Sequence, residues 1–170
     1  MDEFTQQMVN TFQERFAAET LEFRGELTLF IPLEQIVPAA QAARDEFGYN
    51  MLMDETAVDY FPSQSPRFHI IYQIYGLDHN RLLRLRVRLN GNSPVIPTME
   101  TVYPNANWKE REIWDLFGIH FEGHSDPRRI VLPEDWQGHP LRKDYPLGYE
   151  EPQFSFNFKQ IQRTKPQPGE

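Results

Sequence analysis

The sequence predicts an α+β fold in which helices pack on a largely antiparallel sheet, followed by a short helix and an extended, proline-rich C-terminal arm. Three observations lead to this prediction. Two stretches in the first 50 residues place apolar side chains at helical spacing, two later stretches alternate apolar and polar residues, and 10 of the 14 prolines lie after residue 93. The length of 170 residues fits one domain. We therefore expect a body over residues 1–118, an arm over residues 119–158 and a polar tail over residues 159–170.

The first predicted elements are a helix, a strand and a second helix. The first helix has an apolar face formed by Phe4, Met8, Val9, Phe12 and Phe16. Residues 27–31 are expected to form a strand that Pro32 closes. The second helix is expected to carry Pro38 in its first turn, where no backbone donor is needed, and to end at Gly48. Its apolar face consists of Leu33, Ile36, Val37, Ala40, Ala43 and Phe47.

A β-hairpin follows. Residues 51–60 allow a short strand, and residues 67–75 and 81–89 alternate clearly on either side of a polar turn. One face of the last strand is formed by Leu83, Leu85, Val87 and Leu89, and the opposite face by Arg84, Arg86 and Arg88. The arginine face is typical of a solvated sheet surface; contact with an acidic protein and, less favoured by the acidic chain, nucleic-acid binding are the alternatives.

A third helix precedes the proline-rich region. Asn107 is expected to cap it, with Glu110 as the partner in a capping box, while Arg111 and Asp115 have the spacing of an ion pair and Gly118 ends the helix. The carboxylates Glu110, Glu112 and Asp115 would serve acid–base chemistry only if they were buried with shifted pKa values. We therefore interpret them as structural.

Composition excludes several classes of protein. The net charge of −8 argues against general nucleic-acid binding, and the absence of cysteine excludes disulfides, iron–sulfur ligands and thiol nucleophiles. No apolar run reaches the length that spans a bilayer, and the acidic N-terminus is unlike a signal peptide. The sequence contains neither a dinucleotide-binding nor a phosphate-binding glycine motif, nor a nucleophile elbow.

A metal site is the alternative of another class. His120, His124 and Asp126, with His139, are residue types that bind divalent ions, so a free-standing metal-dependent enzyme remains a hypothesis. The two histidines flank a glycine in a predicted loop, so their four-residue spacing has no helical meaning.

The arm alternates charged residues, prolines and apolar anchors. Its apolar residues are Ile130, Val131, Leu132, Trp136, Leu141, Tyr145 and Leu147. A long stretch without periodicity inside a small protein is normally functional or disordered, and this apolar content argues against disorder. Because proline lowers the entropy lost on ordering, and Arg, Trp and Tyr are enriched at interfaces, we expect the arm to lie along another protein.

Many identities at fixed spacing occur between residues 108 and 147. They include Glu110, Arg111, Glu112, Asp115, Phe117, Gly118, His124, Arg128, Arg129, Pro133, Trp136, Gly138, Pro140, Leu141, Arg142, Lys143, Asp144 and Tyr145. This segment resembles the C subunit of the proton-pumping NADH–quinone oxidoreductase, respiratory complex I, the 30-kDa subunit family. The resemblance implies that these residues form a partner-binding signature, with no catalytic, cofactor-binding or metal-binding residue in the chain.

The resemblance also implies a place in an assembly. It implies a cofactor-free subunit of the hydrophilic arm that contacts the D subunit and neighbouring subunits, while FMN, iron–sulfur clusters, NADH and quinone are bound elsewhere. It implies a peripheral position on the cytoplasmic side of the cell membrane. The related J subunit of cyanobacteria and plastids, which serves ferredoxin-linked plastoquinone reduction at the thylakoid membrane, and the related subunit of membrane-bound hydrogenases leave the electron donor open.

Overall fold

The computed structural model describes residues 2–146 and 159. The last part of the expected arm, residues 147–158, and the expected tail apart from Lys159 lie outside the described residues. The elements in chain order are α1 (Glu3–Phe16), β1 (Glu19–Phe23), β2 (Glu26–Phe30), a 3-10 turn (Leu33–Gln35), α2 (Ile36–Asp45), β3 (Met51–Asp59), β4 (Phe68–Gly76), β5 (Arg81–Leu89), β6 (Val95–Pro97), α3 (Ala106–Phe117) and β7 (His120–Glu122).

The two N-terminal helices form in the regions that the sequence predicts, but Leu33 and Phe47 lie outside α2, and the predicted end of that helix at Gly48 is wrong. The Asp2 carboxylate accepts the Thr5 N–H at 3.0 Å and so caps α1. Pro38 lies in the first turn of α2, where it removes no intrahelical hydrogen bond. The helix ends at Asp45, and Gly48 adopts the left-handed φ of +70° in the turn that leads to β3.

Strand β1 is an element that the sequence analysis missed. It forms an antiparallel hairpin with β2, in which Leu21 lies opposite Thr28. Arg24 and Gly25 connect the strands with φ values of +53° and +80°, as a two-residue hairpin turn requires. The dipeptide Arg24-Gly25, which lies between two short stretches of alternating apolar residues, is the sequence signal that could have revealed this hairpin.

The five long strands form one sheet in the order β1-β2-β5-β4-β3. Strands β2 and β5 are parallel, and the other neighbours are antiparallel. The hairpin β4–β5 agrees with the prediction, whereas β3 has nine residues and is longer than expected. The α+β prediction is confirmed.

The two faces of the main sheet differ. The inner face carries the aliphatic row predicted for β5, with Leu83, Leu85 and Val87 fully buried, and it shares one core with residues of α1, α2 and α3. The outer face carries the three arginines of β5 and is only partly covered. A second sheet pairs β6 with β7 in parallel, which directs the chain after α3 back along the body.

Candidate partner-binding surface

The N-terminus of α3 is not capped as the sequence predicted. Asn105 occupies the cap position without a side-chain capping bond, and Asn107 lies within the helix, where its amide donates to Glu100 at 2.7 Å. Glu110 does not reach the helix terminus, because its fully buried carboxylate accepts the Thr98 hydroxyl at 2.6 Å and the Met99 N–H at 2.5 Å. The capping-box prediction is therefore wrong, and Glu110 instead fastens α3 to the preceding loop.

Burial raises the pKa of Glu110, although the hydrogen bond from Thr98 opposes that change. A second buried carboxyl group lies nearby on β3. The pKa of Glu55 is raised well above its ordinary value by burial and then by the charge of Glu110. Neither oxygen of Glu55 has a hydrogen-bond partner among the described residues, so a protonated carboxyl group is the form that this environment favours.

Asp115 of α3 organises residues 124–146, which follow β7 and which we call the segment. Its buried carboxylate accepts the backbone N–H groups of Ile130, Val131 and Leu132 at 3.1, 2.9 and 2.9 Å. The Arg129 guanidinium forms an ion pair with the same carboxylate. Burial opposes ionisation, but these amide hydrogen bonds and Arg129 outweigh it and lower the pKa of Asp115. One ionised side chain thereby orders three consecutive residues of the expected arm.

The predicted ion pair between Arg111 and Asp115 is wrong. Arg111 turns away from Asp115 and donates to the carbonyl oxygens of Arg128 and Arg129, both at 3.0 Å. It also approaches Asp126 at 3.5 Å. The helical spacing is correct, but the chain after α3 offers both side chains better partners than each other.

Arg129 connects two parts of the segment, and Arg142 connects the segment to the body. Arg129 donates to the carbonyl oxygen of Trp136 at 3.0 Å, and Arg142 donates to that of Asn92 at 2.9 Å. The Leu141 N–H donates to the carbonyl oxygen of Leu116 at 3.0 Å. The segment therefore lies on the C-terminal end of α3.

A buried charged group holds the end of the segment against β3 and β4. Arg67 is 1% exposed and pairs with Asp59 at 3.1 Å and with Asp144 at 2.8 Å. The Lys143 N–H donates to Asp59 at 2.9 Å. Burial opposes the ionisation of Asp59, but the hydrogen bonds from Arg67 and from the backbone N–H groups of Lys143 and Phe61 together outweigh it and lower the pKa of Asp59. Sequence reasoning missed Asp59 and Arg67, because nothing local to either residue indicates a partner so far along the chain.

Two glycines permit close packing. Gly118 ends α3 as predicted, with a φ of +71°, and a Cβ atom built on it would lie 2.5 Å from the His139 ring. Gly138 has a φ of +83°, and a Cβ atom there would lie 2.9 Å from the Tyr145 ring. The Nδ1–H of His139 donates to the carbonyl oxygen of Asp115 at 2.9 Å. Both glycines therefore allow an aromatic side chain to approach the backbone closely.

The signature residues divide by exposure. The buried members are Glu110 and Asp115. The partly covered members are Arg111, Glu112, Phe117, Gly118, His124, Arg129, Trp136, Pro140, Arg142 and Tyr145. The exposed members are Arg128, Pro133, Gly138, Leu141, Lys143 and Asp144. The structure brings most of them together around the end of α3, and Phe117 packs against the core.

Four apolar side chains of α3 and of the segment that follows it are exposed. Trp108 is 61% exposed, Val131 58% and Leu141 51%, and Ile130 is also exposed. The buried indole N–H of Trp136 has no acceptor among the described residues. We call Trp108, Ile130, Val131 and Leu141 the signature surface. Exposed apolar side chains on a firmly held segment are typical of protein interaction sites.

The histidines of the metal hypothesis make ordinary hydrogen bonds. The Nε2–H of His124 donates to the carbonyl oxygen of Asn107 at 3.1 Å, and its Nδ1 accepts the Asp126 N–H at 2.9 Å. Asp126 forms an ion pair with Arg128 at 2.6 Å, and His120 is exposed. Over residues 2–146 and 159, no three His, Asp or Glu side chains lie close enough together to hold a metal ion.

This arrangement defines an α+β domain whose distinctive part is a segment fastened to α3 by buried charges. Comparison with known proteins identifies the family. Residues 29–151 match the family described as "Respiratory-chain NADH dehydrogenase, 30 Kd subunit", and the chain belongs to this family. The resemblance stated from the sequence is confirmed.

Two relatives support this assignment to the family. The chain is 44% identical over 138 residues to the C subunit of NADH-quinone oxidoreductase from Geobacter sulfurreducens, covering 79% of this chain and 85% of the relative. It is 42% identical over 147 residues to the protein of that name in Roseiflexus sp. RS-1, covering 85% and 84%.

Two solved structures share the fold. A trypsin-resistant fragment of Nqo5 is 28% identical with a TM-score of 0.63, covering 72% of this chain and 98% of the fragment. A chain of the membrane-bound sulfane sulfur reductase, an archaeal respiratory membrane complex, has a TM-score of 0.74 at 22% identity, covering 85% and 87%. No helix in the described part of this protein is long and apolar enough to cross a membrane.

Proposed function

We propose that this chain is a structural and assembly subunit of an NADH–quinone oxidoreductase, and that it contacts the D subunit and neighbouring subunits of the hydrophilic arm. In this role it supports electron transfer from NADH to quinone without binding FMN, an iron–sulfur cluster, NADH or quinone itself. It reaches the cytoplasmic side of the membrane only through the complex. The names of the relatives favour NADH over ferredoxin as the electron donor.

The observation that carries the proposal is the way the signature surface is built. Buried carboxylates of the body, Asp115 and Asp59, hold backbone N–H groups of the segment in place, while Val131 and Leu141 point outward at more than half exposure. A segment ordered by the body and apolar on its outside is preorganised to bind a protein partner, because little conformational entropy is lost on association.

The test is affinity purification of the tagged chain from cells that make the whole complex. We expect the D subunit and the iron–sulfur subunits to co-purify with the wild-type chain. Val131→Glu and Leu141→Glu place a charge on the signature surface and should reduce co-purification at least tenfold, as loss of an interface anchor does. Leu77→Glu is the matched control, because Leu77 is 60% exposed in the β4–β5 turn.

Activity provides the second readout. Quinone reduction by NADH in membranes should fall in proportion to the assembled complex, since the proposed role is assembly. The purified chain should contain less than a stoichiometric amount of flavin, iron or other metal. A wild-type chain that never associates with subunits of such a complex, or that carries a stoichiometric cofactor, would overturn the proposal.

A further inference from the structure

The outer face of the main sheet is a second surface with unusual features. The three helices share their core with the inner face, so the outer face is left partly open. The apolar residues Leu21, Phe23 and Tyr60 are 48, 63 and 41% exposed there or at its margin. Exposed apolar side chains concentrated on one face of a sheet indicate a binding surface.

Two of the three arginines on this face have carboxylate partners within the chain. Arg84 pairs with Glu26 at 2.8 Å, and Arg88 pairs with Glu19 at 2.8 Å. The guanidinium of Arg88 also lies 4.2 Å from the centre of the Phe30 ring. The charges of these two arginines are therefore compensated by neighbouring strands.

Arg86, between them, is different. Its Nε–H donates to Nδ1 of His69 at 2.7 Å, and its second nitrogen donates to the Tyr60 hydroxyl. Among residues 2–146 and 159, no carboxylate oxygen lies within 4.0 Å of the Arg86 guanidinium. Both of its side-chain acceptors, the His69 ring and the Tyr60 hydroxyl, are uncharged groups.

The His69 ring stays neutral near pH 7. Burial, followed by the charges of Arg86 and Arg88, lowers its pKa to about 4. The aromatic rings of Phe30 and Tyr60 lie 5.3 and 5.8 Å from the Arg86 guanidinium. Arg86 is thus a partly covered positive charge among aromatic rings, and a carboxylate is the group that completes such a site most strongly.

We propose that the outer face of the main sheet binds a neighbouring subunit of the complex through one Asp or Glu side chain of that subunit, which pairs with Arg86. Apolar side chains of the same subunit cover Leu21, Tyr60 and the surrounding sheet. The inference rests on the proposed function, because the partner is a member of the same complex.

The chemistry of this face favours that occupant over two others. A nucleic acid would meet Glu19 and Glu26 beside the arginines and a chain with a net charge of −8, which repel phosphates. A second copy of the chain would present the same face, where Glu19 and Glu26 are already paired with Arg88 and Arg84. A different protein supplies the unpaired carboxylate.

The test is a competition inside cells that make the whole complex. Wild-type and variant chains with different tags are expressed together, and the ratio of the two is measured in the purified complex and in the free pool. We expect Arg86→Gln to be depleted from the complex at least tenfold relative to wild type, because losing one partner of a covered charge pair weakens binding strongly. Arg84→Gln is the matched control and should be depleted less than twofold.

A second pair of variants leaves the arginines intact. Leu21→Glu adds a negative charge to the outer face and should be depleted from the complex, whereas Leu77→Glu should not. The thermal melting of each purified variant shows whether the chain still folds. Depletion of Arg86→Gln and Leu21→Glu from the complex, with both controls retained, supports the proposal.

Three results overturn it. Equal incorporation of Arg86→Gln and wild type would show that Arg86 binds no partner. Equal depletion of Arg84→Gln and Arg86→Gln would assign binding to general positive charge. Dimerisation or salt-dependent RNA binding of the purified chain that Arg86→Gln abolishes would assign the face to another occupant. Failure of the wild-type chain to enter any complex would instead contradict the proposed function.

Discussion

The inner face of the main sheet and the segment over residues 124–146 are fixed by different kinds of contact. On the inner face, Leu83, Leu85 and Val87 have no exposed surface and pack in one continuous core. In the segment no residue is fully buried, and its position depends on hydrogen bonds and ion pairs to Asp115 and Asp59 of the body. The sheet therefore distributes its stability over many apolar side chains, whereas the segment depends on a limited set of polar contacts, among which those to Asp115 and Asp59 are buried at the body's end.

The largest expected effect concerns the core. Leu85→Ala should lower the free energy of unfolding by about 4 kcal/mol, because it removes buried apolar contacts and leaves a cavity. Urea denaturation followed by circular dichroism measures this change. Leu82→Ala is the control, since Leu82 is 40% exposed on the same strand, and it should change stability by less than about 0.5 kcal/mol. Equal losses would contradict the assignment of inner and outer faces.

The next effect concerns the segment. Asp115→Asn removes the charge that pairs with Arg129 and accepts three backbone N–H groups, and breaking such a buried pair costs about 3 kcal/mol. Hydrogen exchange should accelerate at the amides of residues 130–132, while those of β4 remain protected. Glu112→Gln, on the exposed side of the same helix, should leave exchange unchanged. Unaltered protection at residues 130–132 in Asp115→Asn would show that other contacts order the segment.

A smaller effect tests the packing between the two regions. Gly118→Ala should destabilise the protein by about 2 kcal/mol, because a left-handed φ costs a residue with a Cβ atom about 1–2 kcal/mol and His139 must also move. Gly91→Ala is the control, since Gly91 has a φ of +77° and no atom within 4 Å of the added Cβ. The difference in melting temperature between the variants measures the contact with His139. Identical values would mean that His139 adapts freely.

The smallest effect concerns Glu55, whose replacement by Gln should increase the stability of the protein at neutral pH. Because its pKa is raised in the folded protein, the folded state holds a proton that the unfolded state releases as the pH rises above about 4.5. Stability linked to this group is complete below that pH and is lost as the pH rises through the folded pKa. Glu55→Gln should therefore flatten the fall in melting temperature between pH 5 and pH 8. The control Glu112→Gln should keep the wild-type dependence of melting temperature on pH. If Glu55→Gln also kept it, Glu55 would be ionised in the folded protein.

Local patterns in the sequence were sufficient for most elements of the body. The apolar spacing of α1 and the alternation in β4 and β5 predicted each element, because each buries one face against a single core. The hairpin of β1 was missed because Leu21 and Phe23 face outward, so burial adds nothing to its pattern. The family was evident from residues around α3, whose identities carry more information than their polarity.

The roles of charged residues could not be read from spacing. Glu110 and Asp115 had the positions of a capping residue and of an ion-pair partner in an isolated helix, yet both turned inward to groups distant in sequence. An ion pair on the protein surface contributes little to stability, so other partners replace it easily. A buried carboxylate, in contrast, requires several hydrogen-bond donors, which the fold and not the helical spacing supplies.

The sequence by itself determined the α+β fold, the position of the signature and the family, because apolar periodicity and residue identities are local properties of the chain. Only the tertiary structure decided which carboxylates are buried, which backbone amides they bind and which arginine on the outer face lacks a carboxylate. Those choices depend on the strand order β1-β2-β5-β4-β3 and on the return of the chain across α3. Electrostatic partnership is set by distance and burial in the folded protein, and neither can be measured along the sequence.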